Sequence, residues 1–332
     1  FRSERFITLL QKVAVEEIMQ SFDTVINKFQ NELLPLSSEI LAVLMAAFQE
    51  YKKDNDNDTA MFTAMTTIEC ISSLVINAVA VPQYYDAVVA QVMPCVMEVL
   101  GNQEVDFYDA AMMIVRSIVN YFENSGSTKD MIWQLFPHLL LLVQNSAMDY
   151  ISSFFCVVDC YLVIDSSDIV DRSFNGKSYL QLLFDFVNES IFDAELGYQE
   201  QIYGVGILMI IVQYLYKKVD SVVQPAVEIV QRFVAAKEAD ITKLMAEDEE
   251  EDIKAFYLEQ ARDCICRALM VVESALILRP QQTLAFLVSV NYADAYMNSF
   301  VTYLDAHESF LATHLALLSL AALFTVPLEA LP

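Results

Sequence analysis

Along the whole chain, apolar stretches of helical length alternate with short polar breaks. The stretches predict helices over Phe6–Met19, Phe22–Leu34 and Ser37–Tyr51. A polar tract from Lys52 to Asp58 follows, and then a long helix over Ala60–Val79 with Asp58 or Thr59 as its N-cap. Gln83–Leu100 and Glu104–Glu123 read as a pair parted by the stop signal Gly101-Asn102. After the loop Asn124–Ser127, Thr128 caps a helix that runs to Gln144, and Met148–Ile164 is its partner. Beyond the Asn175-Gly176 turn lie Ser178–Phe192, Tyr198–Lys217, Val222–Ala236 and Ile253–Leu278, with Pro280 ending that helix or opening the next. Tyr292–Leu304 and Glu308–Phe324 complete the series, giving roughly fifteen helices in about seven antiparallel pairs.

One phrase recurs within this pattern. Two apolar residues, a proline and a new apolar run appear at Leu33-Leu34-Pro35, Val92-Met93-Pro94 and Leu135-Phe136-Pro137, and again at Val223-Gln224-Pro225 with Gln in one apolar slot. From Pro35 to Pro94 is 59 residues, from Pro94 to Pro137 is 43, and from Pro137 to Pro225 is 88, twice 44. Helical repeats of the HEAT and armadillo kind have periods of roughly 40–47 residues. A unit that short cannot bury its own apolar face and must stack on its neighbours, which exposes a long surface suited to macromolecules. The expected fold is therefore all-α, an α-α superhelix of HEAT or armadillo type, in a single continuous array over 1–332. Only 6 Gly and 8 Pro support the many turns an all-β chain needs, which argues against that class.

Charge narrows the choice of partner. The net charge is −26, from 19 Lys and Arg against 45 Asp and Glu. Such a field repels nucleic acid and anionic membranes and attracts basic proteins. No basic face is visible, so direct nucleic-acid binding is not expected. Acidity also keeps a very apolar chain in solution, and that reading stays open. The most membrane-like stretches are Gly204–Tyr216, which is too short to span, and Leu311–Leu328, which carries His314, Ser319 and Pro327. Both read as buried solenoid helices, and no membrane insertion is expected. No secretory signal or transit peptide is visible, and the chain reads as a fragment of something longer.

The sharpest charged feature is Glu247, Asp248, Glu249, Glu250, Glu251 and Asp252, six acids in succession. They can form a connector, or sit at the positive start of the helix that follows, or grip a basic partner whose charge relieves their mutual repulsion. No catalytic constellation assembles, and no cofactor or metal site is expected. The three histidines, His138, His307 and His314, have no zinc-protease spacing. Gly204-Val205-Gly206 lacks the third glycine and the preceding strand of a nucleotide loop. Asp54, Asp56 and Asp58 open like a calcium loop, but Thr59 and Met65 stand where Gly and Glu are required. The six cysteines, Cys156 and Cys160 among them on one helix face, read as free thiols in a reducing compartment.

Four segments carry a resemblance. Met131–Asn145 (MIWQLFPHLLLLVQN) resembles a segment of the importin-β superfamily, in its importin seven/eight branch, and the Met-x-Trp-Gln-Leu-x-Pro block around Trp133 is its most specific part. Asn31–Leu36 (NELLPL), Phe107–Phe122 (FYDAAMMIVRSIVNYF) and Cys264–Leu287 (CICRALMVVESALILRPQQTLAFL) are similar to the same branch, in the same order. The resemblance implies the C-terminal HEAT region of a nuclear transport receptor. It implies basic cargo such as ribosomal proteins or histones, weak contacts with Phe-Gly nucleoporins, and control by Ran-GTP through an N-terminal region that this segment lacks. It implies shuttling between cytoplasm and nucleus and no enzymatic activity. Exportins share the same superhelix, and HEAT scaffolds outside transport share the general pattern.

Overall fold

The computed structural model of the chain describes residues 16–53, 57–146, 148–164, 166–193, 196–246, 251–307 and 309–327. Contacts divide the chain into two compact units, Phe1–Ile164 and Asp165–Pro332.

The first unit opens with α1 (Glu16–Lys28), which buries Met19, Phe22 and Ile26 at helical spacing. It runs straight through Gln20-Ser21, where two separate helices were expected. The Ser21 and Thr24 hydroxyls donate to the Glu17 and Gln20 carbonyls at 2.7 and 3.1 Å, so these polar residues are absorbed by the helix itself. Next come α2 (Ser37–Tyr51) and α3 (Asp58–Val79). Asn57 caps α3 by accepting from the Thr59 and Ala60 N–H groups at 3.1 and 3.4 Å, one residue before the expected Asp58. Then follow α4 (Pro82–Gly101), α5 (Tyr108–Asn120), α6 (Lys129–Ser146) and α7 (Ile151–Ile164).

Helices α1, α3, α5 and α7 stack in one row, and α2, α4 and α6 in a second. Across the rows α2 pairs with α3, α4 with α5 and α6 with α7. Gln30–Tyr51 and Asp58–Val79 are each long and apolar enough to cross a membrane by length and composition. In α3 that apolarity serves packing between α1, α2, α4 and α5. Its buried Thr63 and Thr67 hydroxyls bond back to the Thr59 and Thr63 carbonyls at 2.7 and 2.6 Å.

The proline phrase does not mark one structural position. Pro94 and Pro137 lie inside α4 and α6, whereas Pro35 sits in a 3-10 turn ahead of α2. At the turn Pro35 costs little because a helix start has a spare N–H, whereas Pro94 and Pro137 each give up one backbone hydrogen bond inside their helix. The stop after α4 also differs from expectation. Gln103, with φ 56°, adopts the left-handed conformation, and the Glu104 N–H closes onto the Val99 carbonyl at 3.1 Å.

One carboxylate organises the entry to α6. Asp86 on α4 accepts from the Gly126 and Ser127 N–H groups at 3.0 and 2.9 Å and from the Thr128 hydroxyl at 2.7 Å. These donors hold its carboxyl down at about 2. A depressed carboxyl stabilises the fold above its ordinary range and loses that contribution as pH falls through its folded value. Asp86→Ala is expected to cost about 1–2 kcal/mol, roughly one or two hydrogen bonds to a charged group. The loss should be present at pH 7 and vanish near pH 2, checked by urea melts at both.

The second unit begins with α8 (Ser166–Asp171) and a two-stranded hairpin, β1 (Ser173–Phe174) and β2 (Lys177–Ser178). Ser173 faces Ser178 and Phe174 faces Lys177. The turn between them places Asn175 at φ 52° and Gly176 at φ 82°, so Asn-Gly supplies the two left-handed residues a tight hairpin needs. Then follow α9 (Tyr179–Phe192), α10 (Tyr198–Leu215), α11 (Val223–Ala246), α12 (Glu251–Leu278), α13 (Pro280–Ser289), α14 (Ala293–Thr302) and α15 (Phe310–Leu323). Here α10, α12 and α15 form one row, while α9 and α11 pair with α10 and α12. A Cβ on Gly204 would lie 2.6 Å from Ile191 and 2.7 Å from Ser190, so this glycine lets α10 press onto α9. Each unit is thus all-α, with paired helices in the stacking of a HEAT-type solenoid.

Candidate protein-binding surface

The end of α11 and the start of α12 overhang the buried core of their unit. No residue of α11 beyond Val234 is buried, and none of α12 before Cys264. At 1.5 Å per residue each overhang is roughly 18–20 Å long. The expected helix Val222–Ala236 was too short because its continuation is polar on most sides. Good helix formers from Ala236 to Ala246 sustain the helix, which packs along α12, and half-buried Ile241, Leu244 and Ala261 line the same seam.

The six-acid run joins these two overhangs. Glu247, Asp248, Glu249 and Glu250 lie outside the described residues. Glu251 and Asp252 form the first turn of α12 and are exposed, where the helix dipole favours them. Beside them Met245, Ile253, Phe256 and Tyr257 are exposed at 62, 43, 56 and 51%. The Phe256 and Tyr257 rings meet edge to face at 5.5 Å and face different sides of α12. Reading the charge alone missed them. The signal was an apolar triplet, Ala255-Phe256-Tyr257, inside an otherwise charged helix start.

Each side of the overhang carries a cavity. One, of about 610 Å³, lies between the α11–α12 pair and the turn from α9 to α10 and is lined by Phe192, Phe233, Ile241, Leu244 and Tyr257. The other, of about 870 Å³, follows α12 between the start of α10 and the start of α15. Its arginines are already engaged. Arg262 grips both carboxylate oxygens of Asp305 at 2.7 Å, and Arg267 contacts Asp263 at 3.0 Å. Asp263 also accepts from the Tyr198 hydroxyl, and burial together with that carboxylate drives the phenol's pKa upward.

The histidines separate into three settings. His138 is exposed on α6, and His314 is exposed and stacked on Phe310 at 5.3 Å. His307 is buried. Its Nε2 lies 3.0 Å from Glu273 Oε1, and its Nδ1 lies 3.2 Å from the Tyr303 carbonyl. Both neighbours offer acceptor oxygens, an arrangement that suits a protonated ring donating from both nitrogens. Burial opposes that charge, but contacts with Cys266 and Glu273 outweigh it and push the ring up to about 10. Burial also raises Glu273. This pair ties α12 to the turn before α15. Among the described residues no three or more His, Cys, Asp or Glu gather as a metal site. Of the calcium-like aspartates, Asp54 and Asp56 lie outside the described residues and Asp58 opens α3.

Comparison with known proteins places this architecture. No family model matches the chain. It is 18% identical over 229 residues to a probable importin-7 homolog of Dictyostelium discoideum, covering 68% of this chain and 21% of that protein. It is 20% identical over 255 residues to an importin beta-like SAD2 homolog of Arabidopsis thaliana, covering 74% of this chain and 24% of that protein. The chain thus spans about a fifth to a quarter of the length of the curated relatives it matches. No solved structure matches.

Proposed function

We infer that this chain, which is related to the importin-β superfamily, is part of a karyopherin-type nuclear import receptor. In this reading it carries basic protein cargo through nuclear pores under Ran-GTP control. It works by binding and release, with no reaction catalysed. The observation that carries the reading is the extent of the likeness. An alignment of 229 residues is longer than either unit, so it follows the paired helices across both.

The physical mechanism follows from stacking. Each helix pair touches only its neighbours, so small changes at many interfaces add up to a change in the curvature of the array. Cargo and Ran-GTP then compete by favouring different curvatures. The −26 charge steers basic cargo and makes its affinity depend on salt. Capture of a purified basic ribosomal protein by the immobilised chain tests this. Capture is expected at low salt and loss at high salt, and no capture at low salt overturns the cargo assignment. In the full-length receptor Ran-GTP is expected to dissociate the complex. Strengthened binding there indicates export instead.

A further inference from the structure

We propose that the groove along the overhanging half of α12 is a docking site for a basic amphipathic helix of a partner protein. The proposal rests on the reading above, that the chain binds basic proteins. It adds where such a partner sits and what shape it takes.

The groove has three properties that select this occupant. Its lining on α12 runs from Ala255 to Met270, which at 1.5 Å per residue is about 22 Å, or four helical turns. Its walls present apolar surface from exposed Ala255 and Phe256 and half-buried Leu258 and Ala306, above a floor closed by buried Met270 and Ala312. A helix laid into such a groove buries one face and leaves the other to the rim. Phe256 is more than half exposed and pairs only edge to face with Tyr257, so its ring is available for that burial.

The rim sets the charge of the occupant's outer face. Arg262 and Arg267 spend their positive charge on Asp305 and Asp263. Exposed Glu251, Asp252 and Glu259 are left to face outward beside the groove. Cationic side chains on the outer face of a docked helix relieve that repulsion, whereas a nucleic acid or an anionic bilayer meets like charge. Apolar contact and charge then contribute separately. The first survives salt and the second does not.

Two synthetic peptides of identical composition separate these contributions in the complete chain. One is an 18-residue Lys/Leu peptide (about five turns) with its leucines on one helical face, and the other is scrambled to have no such face. Fluorescence anisotropy gives Kd for each at low and high salt. The amphipathic peptide is expected to bind about tenfold tighter, which is about 1.4 kcal/mol, and to retain binding at high salt. Phe256→Ala, an exposed position whose loss leaves the fold intact, is expected to erase that advantage. Ala255→Trp, which fills the groove, is expected to do the same, while Glu251→Lys with Asp252→Lys weakens both peptides at low salt only. Equal binding of the two peptides, unchanged by Phe256→Ala, overturns the groove and leaves the acidic attraction standing. Absence of binding by either peptide and by a basic ribosomal protein at low salt overturns the underlying reading as well.

Discussion

Trp133→Ala is expected to remove about 3–5 kcal/mol from the first unit, the range for emptying a large aromatic site in a packed core. Trp133 is fully buried on α6 and is the only tryptophan of the chain. Its ring meets Tyr161 at 5.1 Å and Phe122 at 6.3 Å, and Phe136 meets the same tyrosine at 4.8 Å. The Tyr161 hydroxyl in turn donates to the Ile132 carbonyl at 2.7 Å, which ties α7 to α6 beside the ring. Truncation therefore opens a void beside a hydrogen bond that joins the two helices at one seam between rows. Far-UV circular dichroism against urea is the measurement, since the substitution deletes the natural fluorophore. Trp133→Phe, which keeps a ring at the site, should recover more than half of the loss. A midpoint for Trp133→Ala within error of the parent chain would show that this cluster does not hold the unit together.

Breaking the buried Glu273–His307 pair is expected to be as costly for the second unit. Glu273 is wholly enclosed on α12, and one of its oxygens, Oε2, has no hydrogen-bond partner among the described residues. Removing one member of a buried ion pair leaves the other uncompensated, at about 3–5 kcal/mol. Glu273→Leu should show that loss at pH 7. His307→Leu should as well, whereas the double substitution should regain much of it, because two apolar groups of similar size need no charge partner.

The pair also sets a pH dependence. His307 is raised in the folded state to about 10, so its contribution is complete below its ordinary value near 6.5 and is lost as pH rises towards 10. Stability of the parent chain should therefore fall from about pH 6.5 upward, and the double variant should lack that fall below about pH 8.5, where the buried thiols Cys70, Cys95 and Cys264 do not yet titrate. Urea midpoints from pH 6 to pH 10 test it; a parent chain with no slope there shows that His307 is not charged when folded.

Much of the architecture was legible along the chain. Ser37–Tyr51 and the starts of α9 and α10 fall where apolar spacing and Ser178 place them, since a cap and a stripe are local signals. The all-α class is legible for the same reason. The Asn175-Gly176 turn was readable too, although the two short strands it joins were not, because residues such as Ser173 and Lys177 carry no strand signal of their own. The buried state of His307 was hidden because its partner Glu273 is 34 residues away.

By itself the sequence determined the all-α class, most of the succession of helices and the excess of acid. Each follows from the spacing of neighbouring residues and from simple charge, which need no fold to be read. The tertiary structure alone decided which apolar residues remain in water. Phe256 and Tyr257 stay exposed because this part of α12 lies beyond the buried core and borders open cavities. It also decided which charges are spent, since Arg262 and Arg267 are neutralised only where Asp305 and Asp263 come within reach. Burial and pairing depend on what the fold brings alongside a residue, and helical periodicity carries no record of that.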